Sequence, residues 1–350
     1  MNKPKNAPAG RLRSPTLVDV ARVAGVSVST AGRVLRSSGY PVDPALGERV
    51  EAAAARVGYV ANVVARTLRD GTRSMVGLVV GDMLDPYYGQ VAEAFTQRAE
   101  SVHGRLALVC NMQRDPQLEL KYCRQLWEHR VAGIVLAGGG FDQWTHLGQL
   151  ASLVEQMVRA GVAVATLSPR NLGVPVFSVD NVEVGRTMAR AVLAHGHRTV
   201  GVMLGPPQSE VTQQRLKGVT SVLADLRVSV SHSEYLYAAG RAAAVDLLAR
   251  DPAITALIVG SDTMAYGVVD QLATMGWRVP AQVSVVSVGN SDTGQRRQPR
   301  LTTVDLGLAE CGSAALDYIA AAGSDAADVD PDWRFEGRLI EGETLAASRT

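Results

Sequence analysis

From residue 75 onward, short aliphatic runs alternate with amphipathic stretches of roughly 12–18 residues, and few folds accept that pattern. A short run rich in Val, Ile and Leu reads as a parallel strand covered on both faces, and the amphipathic stretch after it reads as the crossover helix. The runs lie at 76–80, 106–110, 133–136, 162–167, 176–179, 199–204, 256–259 and 283–288. Helical stretches between them include 90–102, 118–129, 182–194, 214–226 and 264–275. One open sheet of so many strands is disfavoured against two doubly wound subdomains with a cleft between them. An α/β body of that kind is therefore expected.

The front of the chain obeys a different rule. Between residues 16 and 59, Leu17, Val20, Ala21 and Ala24, and then Val50, Ala53, Ala54 and Val57, keep helical spacing, with Gly25 and Gly39-Tyr40-Pro41 as breaks. The first two helices have the anatomy of a helix-turn-helix. Ala21 is small where helices cross closely, Gly25 can take the left-handed conformation of the turn, Val26 plugs the angle, and Ser27 caps the second helix. Such a helix enters the major groove N-terminus first, bringing Val28, Ser29 and Arg33 to base edges and Thr16 and Thr30 to phosphates. Leu17 and Ser27 complete the candidate DNA-facing set. An ordinary helical hairpin has the same spacing, so charge is the next discriminator.

The 35 Lys and Arg residues nearly balance the 34 Asp and Glu, but residues 1–75 hold 12 basic against 5 acidic, leaving 23 against 29 for the rest. The front of the chain is the part suited to a polyanion. No stretch of about 18 apolar residues offers a membrane span. Residues 1–13 are polar and basic without the apolar core of a signal peptide, so they read as a disordered basic arm and the protein is expected in the cytoplasm. Cys110, Cys123 and Cys311 are odd in number and widely spaced, which fits reduced thiols.

Seven segments stand in one order along the chain: 17–35 (LVDVARVAGVSVSTAGRVL), 48–59 (ERVEAAAARVGY), 62–68 (NVVARTL), 85–88 (DPYY), 178–181 (SVDN), 261–265 (SDTMA) and 299–304 (PRLTTV). Together they resemble the LacI/GalR family of transcriptional regulators, the first three looking like its headpiece, third helix and hinge helix. The resemblance implies an all-α helix-turn-helix headpiece at 14–60 and a hinge helix with linker at 61–74. It implies a periplasmic-binding-protein-like body at 75–350 for effector binding and dimerisation, with crossovers near Ser168, Asn290 and Gly323.

The same resemblance implies a sequence-specific regulator, read as a repressor, that binds double-stranded DNA as a homodimer on a pseudo-palindromic operator. The hinge helices would meet in the minor groove, with Leu68 as an apolar wedge and with Asn62 and Ala65 allowing close approach to the DNA backbone. A small-molecule effector is implied between the subdomains, with Asp85, Tyr87, Tyr88, Ser168, Arg215, Tyr235, Ser261, Asp262 and Asn290 as candidate contacts. The tyrosines read also as packing residues, Arg215 as a surface arginine, and Asp262 as a structural residue bonded to loop amides.

Departures from the family pattern shape the expectation. Gly32 stands where serine is usual, removing a hydroxyl from the DNA face, while Leu46-Gly47 stand in place of Thr-Arg and Ala61 in place of proline. Ser168 and Gly289 replace acidic residues that relatives use on sugar hydroxyls, and Leu306 replaces a frequent glutamine. With Arg215 as a fork suited to a carboxylate, these changes move the expected effector from a sugar towards a sugar acid. Residues 288–292 (VGNSD) resemble the gluconate-repressor branch of the family. Neutral sugars stay as the alternative, since Asp85, Asn181, Asn290 and Asp292 could serve hydroxyls if they face the cleft.

Two rivals share the α/β pattern. A sugar-processing enzyme would need catalytic machinery, but the chain holds no Gly-x-Gly-x-x-Gly, Walker loop, Gly-x-Ser-x-Gly or His-Glu-x-x-His, and its six histidines lack metal-ligand spacing. No catalytic residue, metal or cofactor is expected. An extracytoplasmic-type solute-binding protein would carry a signal peptide and no headpiece, and residues 1–68 oppose both.

Overall fold

The computed structural model of the protein describes residues 15–35, 43–60, 73–138, 144–321 and 332–348, in two compact units, 1–73 and 74–350. The first unit is helical: α1 (Leu17–Ala24), α2 (Val28–Val34) and α3 (Pro44–Val57). Thr16 and Asp19 open α1 together: the backbone N–H and the hydroxyl of Thr16 both donate to Asp19 Oδ2, at 2.9 and 2.7 Å, and the Asp19 N–H donates to the Thr16 carbonyl at 2.9 Å. These bonds to the charged form hold the Asp19 carboxyl down at about 2. Gly25 adopts φ 66°, as the turn requires, and the Val26 N–H closes it by donating to the Ala21 carbonyl at 3.0 Å. Val20, Ala21, Ala24, Ala31, Val50, Ala53 and Ala54 form the buried core, with Val26 packed against it.

The second unit runs in chain order through β1 (Met75–Val80), α4 (Pro86–Ser101), β2 (Leu106–Asn111), α5 (Pro116–Glu128), β3 (Gly133–Leu136), α6 (Trp144–Arg159), β4 (Ala163–Thr166) and β5 (Val176–Val179). It continues through α7 (Asn181–Ala194), β6 (Thr199–Leu204), α8 (Glu210–Val222), β7 (Arg227–His232), α9 (Tyr237–Arg250), β8 (Ala256–Val259), α10 (Asp262–Thr274), β9 (Ser284–Val288), α11 (Asp292–Arg296) and β10 (Thr302–Asp305). The last elements are α12 (Leu308–Ala321), β11 (Asp332–Phe335) and β12 (Arg338–Ile340).

Two sheets result, β11-β5-β4-β3-β1-β2 and β12-β10-β9-β8-β6-β7, each parallel except that β12 runs antiparallel to β10. In both, the order reverses beside the first strand, at β3-β1-β2 and β8-β6-β7, so the loops after those strands splay apart and leave a crevice at the carboxyl ends. Each sheet with its helices is one lobe.

Strand membership places the crossovers between lobes at 179–181, 305–308 and 335–338, not near Ser168, Asn290 and Gly323. Ser168 joins two strands of the first sheet, Asn290 lies between two elements of the second lobe, and Gly323 falls outside the described residues. Small loop residues mark a turn, but which sheet the next strand joins is settled by long-range pairing. Helix starts also move: α4 and α5 begin at Pro86 and Pro116, four and two residues before the expected starts at 90 and 118. In α3, α4 and α5 alike an Asp side chain caps the first turn and Pro holds its first position, so Asp-Pro acts as a start signal.

Candidate ligand cleft and DNA-facing helix

The carboxyl ends of both sheets converge on a cavity of about 690 Å3. Four helices, α4, α7, α8 and α10, begin at its wall, so their partly positive N-termini point toward it. On the first lobe, Asp85 Oδ1 accepts the Tyr87 N–H at 3.0 Å, while Oδ2 accepts Arg114 Nη2 at 3.3 Å. Tyr87 and Tyr88 meet edge to face, centroids 4.9 Å apart, and Tyr88 lies over Gly81 so closely that a Cβ there would sit 2.5 Å from its hydroxyl. Burial pushes both phenols up, Tyr88 to about 12, so both stay neutral hydrogen-bonding groups. Ser168 is fixed by its backbone, which exchanges hydrogen bonds with the Thr166 hydroxyl, and its own buried Oγ has no partner among the described residues.

Arg215 reaches the cavity from the second lobe. It stands on α8 where that helix presses on α7: a Cβ on Gly185 would lie 2.2 Å from the Arg215 carbonyl oxygen, and one on Gly218 2.0 Å from that of Val182. Its side chain is buried, with Nε donating to Asn181 Oδ1 and Nη1 to the Gly260 carbonyl, both at 2.9 Å. Burial pushes its pKa down, and among the described residues no carboxylate pairs with it. Among the described residues, three of its five N–H donors remain unspent. The Tyr235 ring lies against Gly205 and Gly260, and its hydroxyl meets Thr212 Oγ1 at 3.0 Å. Ser261 caps α10, its Oγ accepting the Met264 N–H.

Asp262 takes its structural reading and Asn290 is corrected. Asp262 borders the cavity, but its carboxylate turns inward and accepts four bonds: the hydroxyls of Ser287, Ser291 and Thr303 and the N–H of Ser291, at 2.6–2.8 Å. It anchors the loop after β9 and has little left for a ligand. Asn290 does not line the cavity; its backbone N–H is directed at the Thr303 hydroxyl, and its neighbours Gly289 and Ser291 face the space instead. Asp292 is exposed and paired with Arg296. Residues that sequence reasoning passed over are Gln90, Arg114 and the buried ion pair Arg170–Glu119, whose Arg170 Nη1 also holds the Gly138 carbonyl beneath the wall. Gln90 stood one helical turn beyond Asp85-Pro86-Tyr87, a spacing that could have found it.

In the first unit, the hydroxyls of Ser29 and Thr30 each meet Ser27 Oγ at 2.8 Å, and Ser27 Oγ also accepts the Thr30 N–H. Val28, Ser29 and Arg33 are exposed, the last two sharing a face four residues apart. Thr16 is engaged with Asp19, and Leu17 packs against the core. Gly32 is buried with Ala31 in α2. Asn62, Ala65 and Leu68 lie outside the described residues.

Residues 16–62 match the family described as "Bacterial regulatory proteins, lacI family", and residues 189–345 match the "Periplasmic binding protein-like domain". The HTH-type transcriptional regulator CelR of Thermobifida fusca is 30% identical over 312 residues, covering 84% of this chain and 88% of the relative. The chain belongs to the LacI family of bacterial regulatory proteins. It is a LacI-family transcriptional regulator, not an enzyme. The regulator DegA of Bacillus subtilis is 28% identical over 305 residues, 85% of this chain and 88% of that one. Among solved structures, the lac repressor dimer bound to operator superposes with a TM-score of 0.81 at 22% identity, over 96% of this chain and all of that one, and shows the shared fold. The CelR–cellobiose complex matches at 25% identity and a TM-score of 0.65, over 95% and 100% of the two chains. Among the described residues of the LacI-family chain, no helix is long and apolar enough to cross a membrane.

Proposed function

We propose that this LacI-family regulator binds a pseudo-palindromic operator as a homodimer through the DNA-facing side of α2, and that a small polar metabolite carrying a carboxylate occupies the cleft and sets operator affinity. The observation that carries the ligand reading is Arg215, a buried guanidinium that among the described residues has no carboxylate partner and spends two of its five donors. A buried charge in that state is strongly favoured to take an anion. The acids around it do not oppose this. Asp85 is paired with Arg114, Asp262 is spent on four donors, Asp180 caps α7, and Glu210 and Glu234 are exposed at the rim. The converging helix N-termini add to the same preference.

A neutral sugar is the second reading, favoured by the cellobiose seen in the CelR complex. Calorimetry of the full chain with D-gluconate, D-glucuronate, D-glucose and cellobiose separates the two. The acids are expected to bind, and Arg215→Ala to weaken them by roughly 30-fold or more. Tight binding of a neutral sugar with no response to either acid overturns the carboxylate reading.

A further inference from the structure

The two lobes touch through a side chain that the ligand reading leaves unused. Gln90, in the second turn of α4, reaches out of the first lobe, and its Nε2 donates to the carbonyl oxygen of Gly289 in the second lobe at 3.0 Å. Both residues border the cavity. Gly289 is held in place by its own N–H, which donates to the Val304 carbonyl at 2.9 Å, and its φ of 137° belongs to a backbone region open to glycine and closed to other residues. A Cβ there would meet Asp262 only at an ordinary 3.5 Å, so conformation and not space demands the glycine. That conformation aims the carbonyl at α4.

We infer that Gln90 is a positioning residue that ties the contents of the cleft to the relative arrangement of the two lobes. Its amide has a second hydrogen on Nε2 and an acceptor, Oε1, neither of which has a protein partner among the described residues. A ligand hydroxyl donating to Oε1 polarises the amide and strengthens the bond from Nε2 to Gly289; a ligand acceptor that draws Nε2 away weakens it. The bond is net worth only a two- to tenfold bias, on the order of other neutral hydrogen bonds, which is the range a metabolite can reverse. The backbone passes between the lobes at 179–181, 305–308 and 335–338, so a bond made between their faces bears on their relative arrangement as one within a lobe does not.

The inference rests on the cleft being the ligand site, but its test needs no ligand. Distances between labels on Val158→Cys in the first lobe and Met275→Cys in the second, both exposed positions, are measured in the full chain on a Cys110→Ser background. Gln90→Met keeps the volume and removes the donor; Gln90→Glu places a carboxylate against the Gly289 carbonyl. The distribution is expected to broaden or shift in Gln90→Met and further in Gln90→Glu, with melting temperatures within about 2 °C of the parent, as for loss of one neutral bond. Superimposable distributions in all three proteins overturn the assignment. Failure of D-gluconate to bind the parent chain would strike the carboxylate reading alone and leave this result standing.

Discussion

Arg215 and Asn181 are joined by a hydrogen bond from Nε to Oδ1 at 2.9 Å, between the second turn of one helix and the first residue of its neighbour. Asn181 is neutral, so it orients the guanidinium without discharging it. Placing a carboxylate at the same point supplies the missing counter-charge from within the protein. Asn181→Asp is therefore expected to weaken D-gluconate binding by about tenfold or more while stability holds or rises, because a buried arginine gains its partner. Calorimetry with parallel thermal melts reads both, and undiminished gluconate affinity would mean that the ligand does not use the charge.

Asp262 makes a contrasting prediction, since its two oxygens gather four donors from three separate points in the chain. Asp262→Ala leaves three hydroxyls and an amide without their acceptor, and a cost of roughly 3–5 kcal/mol is expected. Thr303→Val removes one of the four donors, together with the acceptor of the Asn290 N–H, and should cost about 1–2 kcal/mol. Urea denaturation distinguishes this from a ligand role, for which stability would barely change.

The body was legible from its aliphatic runs because most of those strands are buried by covering helices and carry little else, the half-buried edge strand β2 being betrayed by its aliphatic composition alone. The strands that went unread are polar or at a sheet edge. Residues Arg227–His232 alternate Val with Ser on an edge, and Thr302–Asp305 are buried although polar, since Thr303 donates to Asp262. That stabilisation comes from a residue 41 positions away, which no local pattern reveals. The cleft followed the same logic. Arg215, and the structural reading of Asp262, were legible through their places in a resemblance, whereas the exclusion of Asn290 depends on where the loop after β9 folds.

Asp19 gives the headpiece a pH signature. Its folded pKa, about 2, lies below the ordinary value of 3.8 because Thr16 donates twice to the charged form. A depressed acid contributes stability that is fully present above the unfolded pKa and is lost as pH falls through the folded one. Amide exchange in α1 should therefore show an advantage of the parent over Asp19→Asn above about pH 5, vanishing between about pH 4 and 2. An advantage independent of pH would assign the effect to helix propensity.

Val28 carries the prediction with the widest reach into operator choice. It opens α2, is 43% exposed, and offers only methyl groups. The hydroxyls beside it, on Ser27, Ser29 and Thr30, are bonded to one another, so the start of the helix is poor in free polar groups. If α2 lies in the major groove as proposed, the base edge that best suits Val28 is the C5-methyl of thymine, whereas a base with an unpaired donor or acceptor there would be dehydrated without a partner. Burying one such methyl contributes about 0.8 kcal/mol, or roughly a fourfold change in affinity per contact. On a duplex selected by the parent protein from a random library, exchanging the contacted thymine for uracil should weaken binding by about that factor. Val28→Ser should lose the sensitivity while keeping the steep salt dependence that phosphate contacts impose. A uracil scan across every thymine of the selected site that left binding unchanged would show that Val28 does not read a methyl group, and would turn attention to Ser29 and Arg33.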